Sequence, residues 1–440
     1  MSSISGGIDG VEVRFDDGSL VGDAGLLLVG TVMVRLGLEA LVDEVVRPPE
    51  AGRGSGGKAL SVVASMLVGG SFIGDADRLR SGSTAQVLPF EVSAPSTLGT
   101  WLRSFTFGHL RQFDRANELA LGRAWSVGAA PVVEEITIDL DSTVCEVHGR
   151  DKHGAAYGHT NKLGYHPLVA VRDDTGEIVA SRMRSGSSQR GHLRFVSETL
   201  ARLRRLAPDA VVTVRADAGF FSYDMLERIE AHNAFWSVTI PQNAKVTKAI
   251  AAIDDKDYKP IAYTRGGVAQ VAETTIKTSS RDNKGPRELR LLVRRTRLVG
   301  PQAELWPNWR YHVLVTNRDD LDTVDADAYH RAHARVELAI KDLKATALAQ
   351  CPSGRFFANG AWLACAALAH NLTRWTAHLG KTQHRKQLTI AATTRRRLLS
   401  LPGRLVNHSG RHILRLPANW PWQNTFTRAL QQIRNLPLLI

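Results

Sequence analysis

An α/β protein built on one mixed β-sheet flanked by helices is what this sequence predicts, on three observations. The first is a period-two strand, "ITIDLDSTV" at 136 to 144, in which Ile136, Ile138 and Leu140 alternate with Thr137, Asp139 and Asp141. The second is the order of the elements that follow: two more strands, a helix, a strand, a helix and a strand. The third is a change to short β-rich pieces over residues 243–310, after which strand and helix resume.

Taken in order, residues 1–130 read as a helical region. In "APSTLGTWLRSFTFGHLRQF", Pro95 and Ser96 mark a helix start, and Leu98, Trp101, Leu102 and Phe105 fall at helical spacing. Arg103 and Arg111 are interleaved, so the segment reads equally as a nucleic-acid recognition helix or as a packed helix with basic solvent positions. "GRGSGGKA" at 52–59 nearly matches a P-loop, but Ala59 stands where a Ser or Thr must hold magnesium, and "RPPEA" before it is no buried strand. It reads as a flexible turn, and a nucleoside triphosphatase is excluded.

Residues 131–242 carry the first part of the sheet. "EITIDLDSTVCEV", "GYHPLVAV" and "IVASRMR" form a meander, and "RGHLRFVSETLARLRRL" is an amphipathic helix with Leu193, Val196, Leu200 and Leu203 on one side. "AVVTVRADAGF", "SYDMLERIEAHN" and "AFWSVTI" add strand, helix and strand. This order is ribonuclease-H-like. Residues 243–310 read as an inserted small β-subdomain, and 311–380 as the second part of the core: a strand, a long helix from about 325 to 347, and a buried helix. Residues 381–440 read as a basic tail, with "HRK" at 384–386 and "RRR" at 395–397.

Lys plus Arg number 56 against 43 acids, net +13 in 440 residues, which points to a polyanion and first to nucleic acid. The helical N-terminal region is then the expected DNA-binding region. The apolar run "AGLLLVGTVMV" ends at Arg35, too short to cross a bilayer, and "SSISGGIDG" after Met1 has no signal-peptide pattern. Three unpatterned cysteines suit a reducing cytoplasm, with no membrane partner. Cys145, His148, His153, His159 and His166 lie close in sequence but match no zinc spacing.

Three places supply acids to one possible site. Asp139 and Asp141 share a strand face. Asp217 ends a strand before Gly219, where the chain can turn away. Glu337 lies on a helix whose polar stripe also holds His330, His333, Lys341 and Lys344, with Tyr329, Val336, Ile340 and Leu343 opposite. Such an all-oxygen pocket suits Mg2+ or Mn2+, and two ions there serve phosphodiester chemistry.

"DLDSTV", "ADAGFFS" and "YHRAHARVELAIKDLK" resemble the three acidic motifs of DDE transposases of the insertion-sequence type. "GAWLACAALAHNLTRW" and "RLVNHSGRHILRLPANWPW" resemble the thirteen-eighty group within them. The likeness covers nearly the whole chain. It implies cut-and-paste transposition of double-stranded DNA, with inverted repeats and target as partners, a homodimer in the active complex, and two Mg2+ ions, replaceable by Mn2+. It assigns catalysis and metal binding to Asp141, Asp217 and Glu337, with Asp139 the alternative first acid. DNA contacts fall to Lys344 and Lys341, and to Arg331 or Arg335, because the arginine expected four residues before the glutamate is His333 here. Trp306 or Trp309 would stack on a flipped base. A ribonuclease-H-like nuclease without strand transfer and a silent DNA-binding descendant are the rival readings.

Overall fold

The computed structural model describes residues 11–48, 54–158, 160–188, 190–277, 286–299, 309–381 and 388–439. A short strand β1 (Leu20–Val21) leads into helices α1 (Leu26–Arg35), α2 (Leu38–Val45), α3 (Ser55–Leu67), α4 (Pro95–Arg103) and α5 (Phe107–Ser126). The described part of the P-loop-like stretch is therefore the start of α3, not a turn. Its Ala59 and Leu60 are buried, and that burial carries the helix back to Ser55.

Strand β2 (Glu135–Ser142) is followed by a small sheet of β3 (Cys145–Glu146), β4 (Ala156–Tyr157) and β5 (Leu163–Tyr165). Then come β6 (Leu168–Arg172), β7 (Ile178–Arg182), α6 (His192–Leu206), β8 (Val211–Ala216), α7 (Tyr223–Ala231) and β9 (Phe235–Thr239). Helix α8 (Ala244–Ala251) precedes β10 (Lys259–Ile261), β11 (Gly267–Lys277), β12 (Glu288–Leu298) and β13 (Arg310–Thr316). The chain ends with α9 (Thr323–Arg331), α10 (Val336–Lys344), α11 (Phe356–Leu379), the single turn α12 (Ala391–Thr394), the hairpin β14 (Gly403–His408) and β15 (Arg411–Arg415), and α13 (Gln423–Asn435).

Among the described residues, the central sheet has nine strands in the order β10-β11-β12-β13-β9-β8-β2-β6-β7. β2, β6 and β7 are antiparallel neighbours, while β2, β8 and β9 run parallel. This is the mixed sheet expected from the strand, helix, strand order.

Residues 259–298 differ from the separate subdomain expected of them. β12 pairs with β13 from Arg290–Thr316 to Thr296–Arg310, and β13 pairs with β9, so the inserted strands lengthen the core sheet. The cause is apolar residues on both faces. Leu292 and Leu314 pack against Ala326 of α9, while Leu291, Val293, Val313 and Val315 join the main core.

The expected boundary near residue 130 is not a boundary in packing. One continuous apolar cluster runs from Val21 in β1 to Leu436 after α13. At its centre lies α11, buried almost all round and touching α1, α3, α4, α5, α13 and β7. One of its polar side chains closes the sheet edge. Asn371 accepts from the Ile178 amide at 2.8 Å and donates to the Ile178 carbonyl at 2.9 Å, closing β7 as a neighbouring strand would. Residues 403–435 likewise are no loose tail: β14 pairs with β1, and α13 packs on α1 and α11. No helix among the described residues is long and apolar enough to cross a membrane.

Candidate active site

In the parallel pair β2–β8, Asp139 stands opposite Arg215 and Leu140 opposite Ala216. Asp141 and Asp217 are each the next residue, at the carboxyl ends of neighbouring strands. Asp217 is exposed and accepts from the Gly219 amide at 3.0 Å. Gly219 does not adopt positive φ. Its part is room, because a Cβ there would sit 3.2 Å from Asp217 Oδ1. Asp141 is half-buried and accepts from the Ser142 amide at 2.6 Å.

Glu337 reaches this end of the sheet on α10, which lies against β2. The expected long helix is broken. α9 ends at Arg331, residues 332–335 form a tighter 3-10 turn, and α10 begins at Val336. His330 therefore leaves the polar stripe. It is buried with its ring nitrogens 2.9 Å from the Ser237 and Thr239 hydroxyls, and burial pushes its pKa down to about 3. Glu337, Lys341 and Lys344 remain exposed on α10. An Arg374–Asp342 ion pair at 2.9 Å anchors α10 to α11.

The electrostatics join the three acids. Burial pushes the Asp141 pKa from 3.8 to about 6, opposed by the Ser142 amide and His333, with repulsion from Asp217 and Glu337 adding to the rise. Among the described residues no three His, Cys, Asp or Glu side chains already form a metal-holding group. The acids thus stand within electrostatic reach without being drawn together. As donors, three carboxylates fit a hard divalent cation, and such a cation relieves the repulsion and desolvation that raise Asp141.

A pH test follows. The folded state holds the Asp141 proton more tightly than the unfolded chain, so the stability from this shift is present below pH 4 and lost as pH rises through about 6. Asp141→Asn, which cannot ionise, should exceed the wild type by about 1–3 kcal/mol at pH 8 in chelator, and the gap should close near pH 4. Urea midpoints at the two pH values measure this. An equal gap at both would remove ionisation as its cause.

Asp139 takes no part in the acid group. It is fully buried and bidentate to Arg215, with Nε–Oδ1 at 2.7 Å and Nη2–Oδ2 at 2.8 Å, and His333 Nδ1 lies 2.9 Å from its Oδ1. Arg215 also pairs with Asp173 at 2.9 Å and donates to the Tyr329 carbonyl. His333, four residues before Glu337, thus ties the turn before that acid to β2. Arg215 and Asp173 were missed from sequence, although Arg215 shares strand parity with Asp217.

Beside Asp217 opens a cleft of about 590 Å3 whose lining includes Ser142, Thr143, Lys162, His166 and Lys344. Lys344 is the expected DNA contact that the structure brings beside an acid. Other expected contacts are occupied. Arg331 pairs with Asp327 and Arg335 with Asp173, at 2.8 and 2.9 Å. Arg111 bridges Asp114 and Glu198 at 3.2 and 2.9 Å, joining α5 to α6. Trp101 is buried against Phe105 and Phe113, so α4 is a packed helix, with Arg103 exposed at its end. Trp309 is flanked by the guanidinium groups of Arg295 and Arg297, 4.4 and 4.6 Å from its ring centre. Trp306 and His159 lie outside the described residues. All three cysteines are buried and free of disulfides.

A family model described as Transposase DDE domain group 1 matches residues 6–438. Among solved structures, a piggyBac transposase synaptic complex with hairpin DNA is similar at 11% identity and a TM-score of 0.45, covering 94% of this chain and 82% of that one. The comparison with curated proteins gave no match.

Proposed function

Because the chain belongs to the DDE transposase family, whose members use divalent metal ions, we propose that it binds the terminal inverted repeats of its own element, cleaves there and joins the freed 3′-hydroxyl ends to target DNA. The observation that carries this reading is the placement of Asp141 and Asp217 side by side at the carboxyl ends of the parallel strands β2 and β8, with α10, which carries Glu337, packed against β2. Asp141, Asp217 and Glu337 would hold two Mg2+ ions, or Mn2+, which when bound activate the attacking oxygen and stabilise the leaving one. The residues of the chain supply the rest. Asp139, Arg215 and His333 hold β2, β8 and the turn before Glu337 in register, and Arg374 with Asp342 fixes α10. Lys344 and Lys341, exposed on α10, would grip the phosphates flanking the cut, and Trp309 with its arginines would meet DNA beside it. Arg103, Arg331, Arg335 and Arg111 follow as more distant candidates, the last three only if DNA displaces their present acidic partners. The active complex would be a homodimer working in the cytoplasm.

Strand transfer with pre-cut ends tests the central point: joined products are expected, and cleavage without joining would leave a nuclease. Salt dependence tests the surface. Each phosphate neutralised adds about 0.9 to the slope of log affinity against log salt, so an extended footprint of six or more phosphates should give a slope steeper than about −5. Lys344→Ala should weaken binding to all sequences alike and reduce that slope by about 1. An unchanged slope would remove Lys344 from the interface.

A further inference from the structure

Far from the acids, α1, α13 and the β14–β15 hairpin enclose a mostly apolar groove of about 930 Å3. Leu27, Leu405 and Phe426 lie within it, and Val34, Ile413 and Leu438 stand at its lip 44, 40 and 54% exposed. β15 ends the three-stranded sheet β1-β14-β15, so the strand beside this lip offers one edge of its backbone for pairing.

The N-terminal segment carries the complement. Residues 11–15 read Val-Glu-Val-Arg-Phe, the period of a strand with one apolar face, yet Val11, Val13 and Phe15 are 48, 73 and 102% exposed. Charge agrees with shape. β15 brings Arg411 and Arg415, with Arg434 lining the groove, while residues 11–17 carry Glu12, Asp16 and Asp17 against one arginine, Arg14, which pairs with Glu12 at 2.8 Å. Next to the segment, Asp17 pairs with Arg404 of β14.

The residues just before β1 run on the side of β14 away from the free edge of β15. The Ser19 carbonyl accepts from the Leu405 amide at 2.9 Å, and Leu20 stands opposite Arg404, so the chain before β1 lies along β14 on the side away from β15. We propose that the groove receives residues 11–15 of a second copy of this chain, added as a fourth strand on β15, with the exchange reciprocal about a two-fold axis. This goes beyond the reading of the acids and is tested without DNA, so the two stand or fall separately.

The test is sedimentation velocity of the full chain. The wild type should run at twice the chain mass. Phe15→Asp, which spoils the donor, and Ile413→Arg, which spoils the groove, should each run as monomers with the wild-type far-ultraviolet circular dichroism spectrum. An equimolar mixture should regain the doubled mass, because the intact segment of one variant meets the intact groove of the other. A monomeric wild type, a dimer that survives either substitution, or a mixture that stays monomeric would overturn the proposal. The last would point to the segment folding onto its own chain.

Discussion

Asp141→Ala, Asp217→Ala and Glu337→Ala are each expected to reduce cleavage of end DNA by about a thousandfold or more, with duplex binding retained. The magnitude follows from the metal. About 4 kcal/mol of transition-state stabilisation lost with a bound ion is three decades at 1.36 kcal/mol per decade. The retained binding follows from charge: removing an acid from a chain of net +13 cannot weaken its hold on phosphate by Coulomb's law. Single-turnover cleavage and a filter or shift assay on the same preparations measure the two. Cleavage at the wild-type rate by any one variant would dismiss that residue, and loss of binding alongside would point to misfolding instead. Asp139→Asn should not give this pattern, since the partners of Asp139 are Arg215 and His333.

The second large effect is on stability. Arg215 and Asp139 are 1 and 0% exposed, and Arg215 answers both Asp139 and Asp173. Arg215→Ala would strand a buried carboxylate, which costs about 3–5 kcal/mol, a large part of the 5–15 kcal/mol that holds a typical protein folded. Replacing both partners with apolar residues, Arg215→Met with Asp139→Leu, should recover most of the loss, because Asp173 keeps Arg335 and no charge is then left unpaired. Urea denaturation of the two single variants and the double measures the coupling. A loss below about 1 kcal/mol for Arg215→Ala would mean that water or another cation reaches Asp139.

Much of the sheet was legible because its signals are local. Period two in 136–144, the glycine turn after Asp217 and the apolar stripe of α6 each lie within one element, and the element order then narrows the topology to few choices. What was not legible depends on register and on partners far away in the chain. Asp139 and Asp141 look alike on their strand, and only the pairing of Asp139 with Arg215 across β2–β8 separates an ion-pair acid from a site acid. The break at 332–335 was hidden because the stripe of polar residues satisfies helical spacing, while the pull of Ser237 and Thr239 on His330 comes from β9 and its end. Arg111 looked available because Glu198, its partner, lies on α6. That the basic tail packs into the fold was hidden because β1, which it pairs with, is only two residues long.

That pairing of β1 with β14 has a consequence for how the molecule is made. The amides of Ala24 and Gly25 donate to the carbonyls of Leu401 and Leu399, so the start of α1 is completed by residues synthesised long after it. The helices α1 to α5 wait likewise for α11 and α13 before their apolar faces are covered. During translation, then, the apolar faces of α1 to α5 stay uncovered until residues 356–435 have emerged. Such long-range closure makes folding slow and leaves time for aggregation. A chain cut short before residue 399 lacks the last piece of its own core, so an incomplete product should be removed by proteases before it acts as a partial enzyme.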